Sequence, residues 1–253
     1  MLRAIDLNAD LGESFGAYTM GDDAALLSVV TSASVACGFH AGDPMVMIAT
    51  VQAAVERRVV IGAHVGYRDL QGFGRRAVAM PPAQLTADVL YQLGALDGIA
   101  RANGARVAYV KAHGALYNTA AVDAEVARAL VEAVRLFDPS LPVLTLPGSE
   151  VSNACADAGL RAVGECFADR AYDSSGRLVQ RSRPGAVIHD HDAVVARAVA
   201  MATTGEVVAD DGTTVPIRAK SMCVHGDTPG AAALAAAIRD ALQAADIELR
   251  SFA

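Results

Sequence analysis

Six histidines occur in the 253 residues, and four of them share one local setting: an apolar run, then an imidazole with glycine within two residues. The four are Cys37-Gly38-Phe39-His40-Ala41-Gly42-Asp43, Gly62-Ala63-His64-Val65-Gly66, Lys111-Ala112-His113-Gly114 and Val224-His225-Gly226-Asp227. Glycine permits tight turns and close backbone approach, so a small ligand fits beside each imidazole. Imidazole in turn serves as acid, base or metal ligand near neutral pH. One such histidine is ordinarily a satisfied structural residue. Four at the same topological level point to a site. His189 and His191 lack this setting and, next to Asp190 and Asp192, read as surface residues at a helix start.

Carboxylates and cations recur in the same places. Asp6-Leu7-Asn8-Ala9-Asp10 alternates polar and apolar, so a strand there puts Asp6, Asn8 and Asp10 on one face. A strand opening a β/α unit is normally buried on both faces, and buried carboxylates are rarely left unpaired. The three therefore read as lining a site. Lys111 lies two residues before His113, which sends both side chains to one face. Lys111 and Lys220 are the only lysines, the other basic residues being arginine. A lysine kept in that company suggests a compact, pKa-tunable ammonium. Gly72-Phe73-Gly74-Arg75-Arg76 is a flexible loop carrying two guanidiniums suited to clamping a carboxylate or phosphate.

Short apolar runs alternate with amphipathic segments and must position these groups. The runs are Ala4–Leu7, Ser34–Cys37, Val59–Ala63, Val107–Val110, Val143–Leu146, Ala162–Cys166 and Met222–Val224. Asp43-Pro44 pairs a capping carboxylate with proline at the first helical position and opens a helix over Met45–Arg58. Pro82–Asn103 stops at Gly104, a residue suited to the left-handed cap. Asp123–Phe137, Ser149–Ala158, Asp192–Thr204 and Pro229–Ala245 complete the helices. Seven β-then-α units predict a parallel sheet, either closed into a barrel or open and doubly wound. Both arrangements gather ligands at the carboxyl ends of the strands. Glu206–Ala219, with Asp211-Gly212 between two Val/Ile pairs, reads as a β-hairpin excursion before the last strand. No linker or composition break divides the chain, so residues 1–253 are expected to form one domain.

Composition removes several function classes. Hydrophobic residues make up 53% and charged residues 19%, which excludes a disordered chain. A net charge of −7 and the lack of a basic stripe exclude electrostatic capture of nucleic acid. Aromatic residues are 5% with no tryptophan, which argues against a base-stacking platform. No secretory signal is visible, and polar residues interrupt the uncharged stretch from Ala24 to Gly42, so no membrane span is expected. Cys37, Cys155, Cys166 and Cys223 have no CxxC spacing and read as reduced core residues in a cytoplasmic protein. The sequence has no GxxxxGK[ST], no GxGxxG after a strand and no GxSxG. A P-loop, a dinucleotide fold and a serine hydrolase elbow are thereby disfavoured.

Taken together, the motifs resemble the LamB/YcsF family. The matching residues are Asp6-Leu7-Asn8-Ala9-Asp10-Leu11-Gly12-Glu13 and Ala36-Cys37-Gly38-Phe39-His40-Ala41-Gly42-Asp43-Pro44, then Gly62-Ala63-His64, Gly66-Tyr67, Asp69-Leu70 and Gly72–Arg76. Further on come His113–Asn118, Phe167-Ala168-Asp169-Arg170-Ala171-Tyr172 and Cys223–Asp227, so the likeness spans nearly the whole chain. Val65, Arg68 and Ala112 stand where the family usually has proline, which loosens loops but deletes no acid, base or donor. The resemblance implies an irregular seven-stranded (β/α) barrel of the glycoside hydrolase/deacetylase type. It also implies opening of 5-oxo-L-proline to L-glutamate coupled to ATP hydrolysis, in a 5-oxoprolinase complex with two further subunits, B and C.

On that reading ATP is a co-substrate, and the missing P-loop assigns much of the kinase chemistry to subunits B and C. Asp10 or an adjacent histidine is the expected base acting on water. His64, His113 and His225 are candidates to protonate the ring nitrogen or to stabilise oxyanion charge. Lys111, Arg75, Arg76 and Arg170 are expected to hold phosphate or the substrate carboxylate. The matched motifs add Asp6, Asn8, Glu13, His40, Asp169 and Asp227 as substrate-binding candidates. One alternative is a stand-alone deacetylase or amidohydrolase with a divalent metal on Asp6, Asp10, His40, His64, His113 and His225. The other is a non-catalytic component that stabilises B and C.

Overall fold

The computed structural model describes residues 4–224, 226 and 230–253. It runs β1 (Ala4–Leu11), α1 (Asp23–Leu26), β2 (Ser32–Ala36), α2 (Pro44–Arg57), β3 (Val60–Val65), α3 (Pro82–Ala102), β4 (Tyr109–Ala112), α4 (Gly114–Ala120) and α5 (Ala124–Phe137). The second half is β5 (Val143–Thr145), α6 (Glu150–Ala158), β6 (Ala162–Phe167), α7 (His191–Thr204), β7 (Glu206–Val208), β8 (Thr214–Pro216), β9 (Ser221–Val224), α8 (Ala231–Ala244) and β10 (Glu248–Leu249). Strands β1 to β6 pair in order and in parallel, and β9 pairs with both β6 and β1. The ring is therefore closed, with seven strands. This settles the choice between barrel and open sheet. β10 joins β1 outside the ring, and β7 and β8 form a separate antiparallel hairpin.

Closure explains the polar alternation of β1. Leu7, Ala9 and Leu11 are buried in the main apolar cluster, shared with helical residues such as Val51, Leu93 and Leu130. Asn8 instead bonds Glu165 of β6 and Lys111 of β4, neither of which neighbours β1 in the ring. Contacts across the ring place this face of β1 in the barrel interior. At the amino-terminal end of the barrel, Tyr109, Leu144 and Val163 form a second cluster that Val60 and Phe252 pack against. Gly62 is paired in register with Tyr109, and a side chain there would overlap the phenol ring. Gly62 thus makes room for the ring that helps to fill this end.

Local signals set the helix starts. Asp43, Asp123, Ser149 and Asp190 each accept backbone N–H bonds as N-caps. Helix α2 ends one residue before the expected Arg58, which takes the left-handed cap conformation. Strand boundaries move more. β4 covers Tyr109–Ala112 instead of Val107–Val110, and β1 extends to Leu11, because interior polar residues belong to the ladder although hydropathy excludes them. The short helix α4 carries no sequence signal strong enough to be expected, whereas α1 followed by β2 is the helix end and buried strand that the uncharged Ala24–Gly42 stretch suggests. Pro229, expected to open the last helix, lies outside the described residues, and α8 begins at Ala231. Among the described residues no helix is long and apolar enough to cross a membrane.

Asp6 lies near the amino-terminal end of the ring and is fully buried. The hydroxyls of Thr31, Ser32 and Ser221 donate to its carboxylate. Burial still prevails, raising its pKa from 3.8 to about 6. Because the folded chain holds this proton more tightly than the unfolded chain, the stabilising contribution is complete below 3.8 and is lost as pH rises through about 6. A shift of this size is worth about 3 kcal/mol. Relative to the uncharged Asp6→Asn variant, the wild-type chain is expected to lose that amount between about pH 4 and about pH 7. Denaturant unfolding of both proteins across that range checks it, and a difference that stays constant refutes it.

Candidate active site

The carboxyl ends of the strands surround a cleft of about 830 Å³. Buried Asp10, Glu13, His64, Lys111, His113 and Arg170 line it together with exposed Arg75, Arg177, Arg181 and Arg183. A cavity of about 460 Å³ elsewhere is lined by Thr31, Arg57, Arg58 and Ser251 and contains none of the histidines.

Lys111 anchors the cleft. Its ammonium is 2.8 Å from Asp10 Oδ1 and 2.8 Å from Glu165 Oε1, and donates to Cys223 Sγ at 3.1 Å and Asn8 Oδ1 at 3.3 Å. Burial opposes this charge, but Asp10 and the other facing groups, Cys223 and Glu165, outweigh it and hold the pKa well above the usual lysine value. Lys111 is therefore a fixed cation. The expectation of a tunable ammonium is corrected on this point, because two carboxylates face the nitrogen. Asn8 completes the arrangement by donating to Glu165 at 2.9 Å and to Ser221 at 2.7 Å.

Beside this pair is an imidazole cluster. His64 Nε2 is 3.3 Å from Asp10 Oδ2 and 2.9 Å from His113 Nδ1. His113 Nε2 is 2.7 Å from the carbonyl of Phe73, which can only accept. That contact puts the His113 proton on Nε2 and leaves the Nδ1 lone pair facing His64. Burial, then the neighbouring His64, holds the His113 pKa well below the usual value, so the neutral base is the resting form. His40 is fully buried, stacked on His113 at 3.8 Å and 6°, and its pKa is likewise depressed, first by burial and then by His113. Gly74 lets the loop lie against both rings. With φ of +62°, a Cβ there would come within 2.7 Å of His40 Cβ and 2.8 Å of His113 Cδ2.

The structure thus brings Asp10, Glu13, His64, Lys111, His113, Arg75 and Arg170 to one cleft, with His40 and Asn8 immediately behind it. Arg170 is buried and donates to the carbonyls of Val179 and Ala186. Burial, then Arg181, lowers its pKa to about 10, which leaves it a cation. Three expected residues are placed elsewhere. Arg76 pairs with Asp69 and is not part of the cleft lining, so it fastens the loop. Asp6 sits at the other end of the barrel, bound by hydroxyls. Asp169 is buried beside Arg170, Tyr172 and Arg197, outside the cleft lining. His225 and Asp227 lie outside the described residues. His189 and His191 are exposed where α7 begins.

Glu165, Tyr117 and Cys223 take part although sequence reasoning misses their roles. Glu165 is the lone acid in a buried apolar strand, and that oddity is the available signal. Tyr117 lines the cleft, and burial followed by Glu165 pushes its pKa well up, so it remains a neutral hydroxyl. Arg68 bonds the buried carboxylate of Asp88 on α3 and lies 4.6 Å over the Phe39 ring. These contacts tether the loop.

The LamB/YcsF family profile matches residues 5–253. A relative from Streptomyces coelicolor, named as the A subunit of 5-oxoprolinase, is 59% identical over 249 residues, covering 98% of this chain and 100% of its own. The crystal structure of a lactam utilization protein from Thermus thermophilus superposes with a TM-score of 0.94 at 46% identity, covering 98% and 100% of the two chains. A family 4 carbohydrate esterase from Streptomyces lividans has a TM-score of 0.50 at 14% identity, covering 99% and 93%, and shares the fold.

Proposed function

The chain belongs to the LamB/YcsF family, and from that premise we propose that it is the A subunit of an ATP-dependent 5-oxoprolinase. In this reading it opens 5-oxo-L-proline to L-glutamate, with subunits B and C supplying the phosphoryl-transfer machinery. The observation that carries the reading is the fixed Lys111 cation beside a hydrogen-bonded imidazole pair in an arginine-lined cleft. The names of the Streptomyces coelicolor and Thermus thermophilus relatives agree with it.

A lactam is a stable amide, so its carbonyl oxygen needs activation before water can add. Phosphorylation by ATP supplies that activation and a leaving group. Arg75 and Arg170 hold the substrate carboxylate or the phosphate through charge-assisted bonds. Lys111 stabilises negative charge that develops on oxygen as water adds to the carbon. Asp10 takes a proton from water, water's protons pass to the ring nitrogen as the C–N bond breaks, and a second water hydrolyses the resulting acyl phosphate to L-glutamate and inorganic phosphate. A cytoplasmic setting is part of the proposal and agrees with four buried, free cysteines.

The test is glutamate release from 5-oxoproline, with the chain alone and with subunits B and C, each with and without ATP. Glutamate is expected only in the complete mixture, in proportion to ATP consumed. Equal release by the chain alone without ATP would overturn the assignment.

A further inference from the structure

The geometry points to a divalent transition-metal site in the cleft, with Glu13, His64 and His113 as its protein ligands. Three contacts link the polar atoms in sequence. Asp10 Oδ2 is 3.3 Å from His64 Nε2, His64 Nε2 is 2.9 Å from His113 Nδ1, and His113 Nδ1 is 3.7 Å from Glu13 Oε1. Ligand atoms about 2.1 Å from a common ion lie roughly 3.0–3.4 Å apart in octahedral or tetrahedral arrangements. The two separations between proposed ligand atoms, 2.9 and 3.7 Å, bracket that range. One atom each from Glu13, His40, His64 and His113 also falls within 4.8 Å of all the others, and all four residues are buried.

The surroundings fit a cation as well as the spacing does. His113 gives its Nε2 proton to the Phe73 carbonyl at 2.7 Å, the outer contact that typically orients a metal-bound imidazole. Its Nδ1 lone pair faces His64 Nε2 at 2.9 Å, and loss of the proton shared by these two nitrogens on metal binding opens both to the ion. Both ring nitrogens of His40 and Nδ1 of His64 are buried without a hydrogen-bond partner. Two imidazoles and a carboxylate suit zinc, manganese, iron or nickel better than calcium or magnesium. Asp10 is engaged by Lys111 at 2.8 Å and stands beside the ion as an orienting carboxylate.

His40 is excluded from the ligand set by its orientation. Its ring is within 6° of parallel to that of His113 at a centroid distance of 3.8 Å. Lone pairs lie in the ring plane, so an ion in the plane of His113 lies off the plane of His40. His40 is the wall against which the ligand ring stacks. The inference shares the cleft with the proposed function without needing lactam chemistry, and the two fail separately. Metal content is read without substrate, whereas glutamate release is read in the whole complex.

The experiment is elemental analysis of chain purified without chelators, followed by Co²⁺ titration of metal-stripped chain read by visible absorption. About one equivalent of metal per chain is expected. Glu13→Gln and His113→Gln are expected to weaken Co²⁺ binding by about 10- to 100-fold or more, while His40→Ala keeps the Co²⁺ spectrum. Far-UV melting shows which variants are folded. The absence of stoichiometric metal and of a Co²⁺ spectrum in the folded wild-type chain would overturn the site. Loss of binding in folded His40→Ala with retention in His113→Gln would overturn the ligand set.

Discussion

Lys111→Met is expected to melt well below the wild-type chain and to release no glutamate in the reconstituted complex. The methionine nearly matches lysine in length but removes the positive charge between Asp10 and Glu165, each 2.8 Å from the ammonium. Removing one partner from a buried ion pair typically costs about 3–5 kcal/mol, because the remaining charge has lost its compensation. For a chain of this size that corresponds to a drop of roughly 6–20 °C in Tm. Adding Glu165→Gln to Lys111→Met removes one stranded charge and is expected to recover part of the stability. It restores no activity, since the cation itself is what the chemistry requires. Calorimetric melting of the two variants with parallel glutamate assays separates these effects. A single variant that melts within about 2 °C of wild type would refute the ion-pair argument. Activity recovered in the double variant would refute the catalytic one.

Much of the site is legible in the sequence because period-two alternation and strand ends are properties of the sequence. Asp10, Lys111 and His113 fall at one level by β/α order alone, since that order puts strand ends together. Asp6 illustrates the limit. Alternation puts it on the same face as Asp10, but a strand has two ends, and the four-residue step between them carries Asp6 down to the hydroxyls of Thr31, Ser32 and Ser221. Arg75 and Arg76 show another. The two are adjacent, and only the turn of the loop decides that one lines the cleft while the other pairs with Asp69. Glu165 is hidden by its neighbours, because an acid within Ala162–Phe167 has no periodic signal and matters only through a ring that closes across the barrel. The ring itself is undecided in sequence, since β1–β9 pairing joins residues more than two hundred positions apart.

Asp10→Asn carries the second large expectation. Asn keeps the size of the side chain and an oxygen facing Lys111, so the fold is expected to survive. The lost negative charge removes the base and the partner that lies 3.3 Å from His64 Nε2. General-base contributions of this kind amount to about 10²–10⁴-fold in rate. His113→Gln is expected to cost a similar factor, and the two substitutions together should cost far less than the product, because both groups serve the same step. The alternative of a component that only stabilises its partners makes the opposite forecast, full activity with the cleft altered. The most direct measurement is therefore single-turnover glutamate formation by the complex of B, C and the Asp10→Asn chain, once that chain is shown to fold and to join its partners. The account expects a rate lower by about 10²-fold or more. A rate within about twofold of wild type would contradict it and leave the cleft without a part in ring opening.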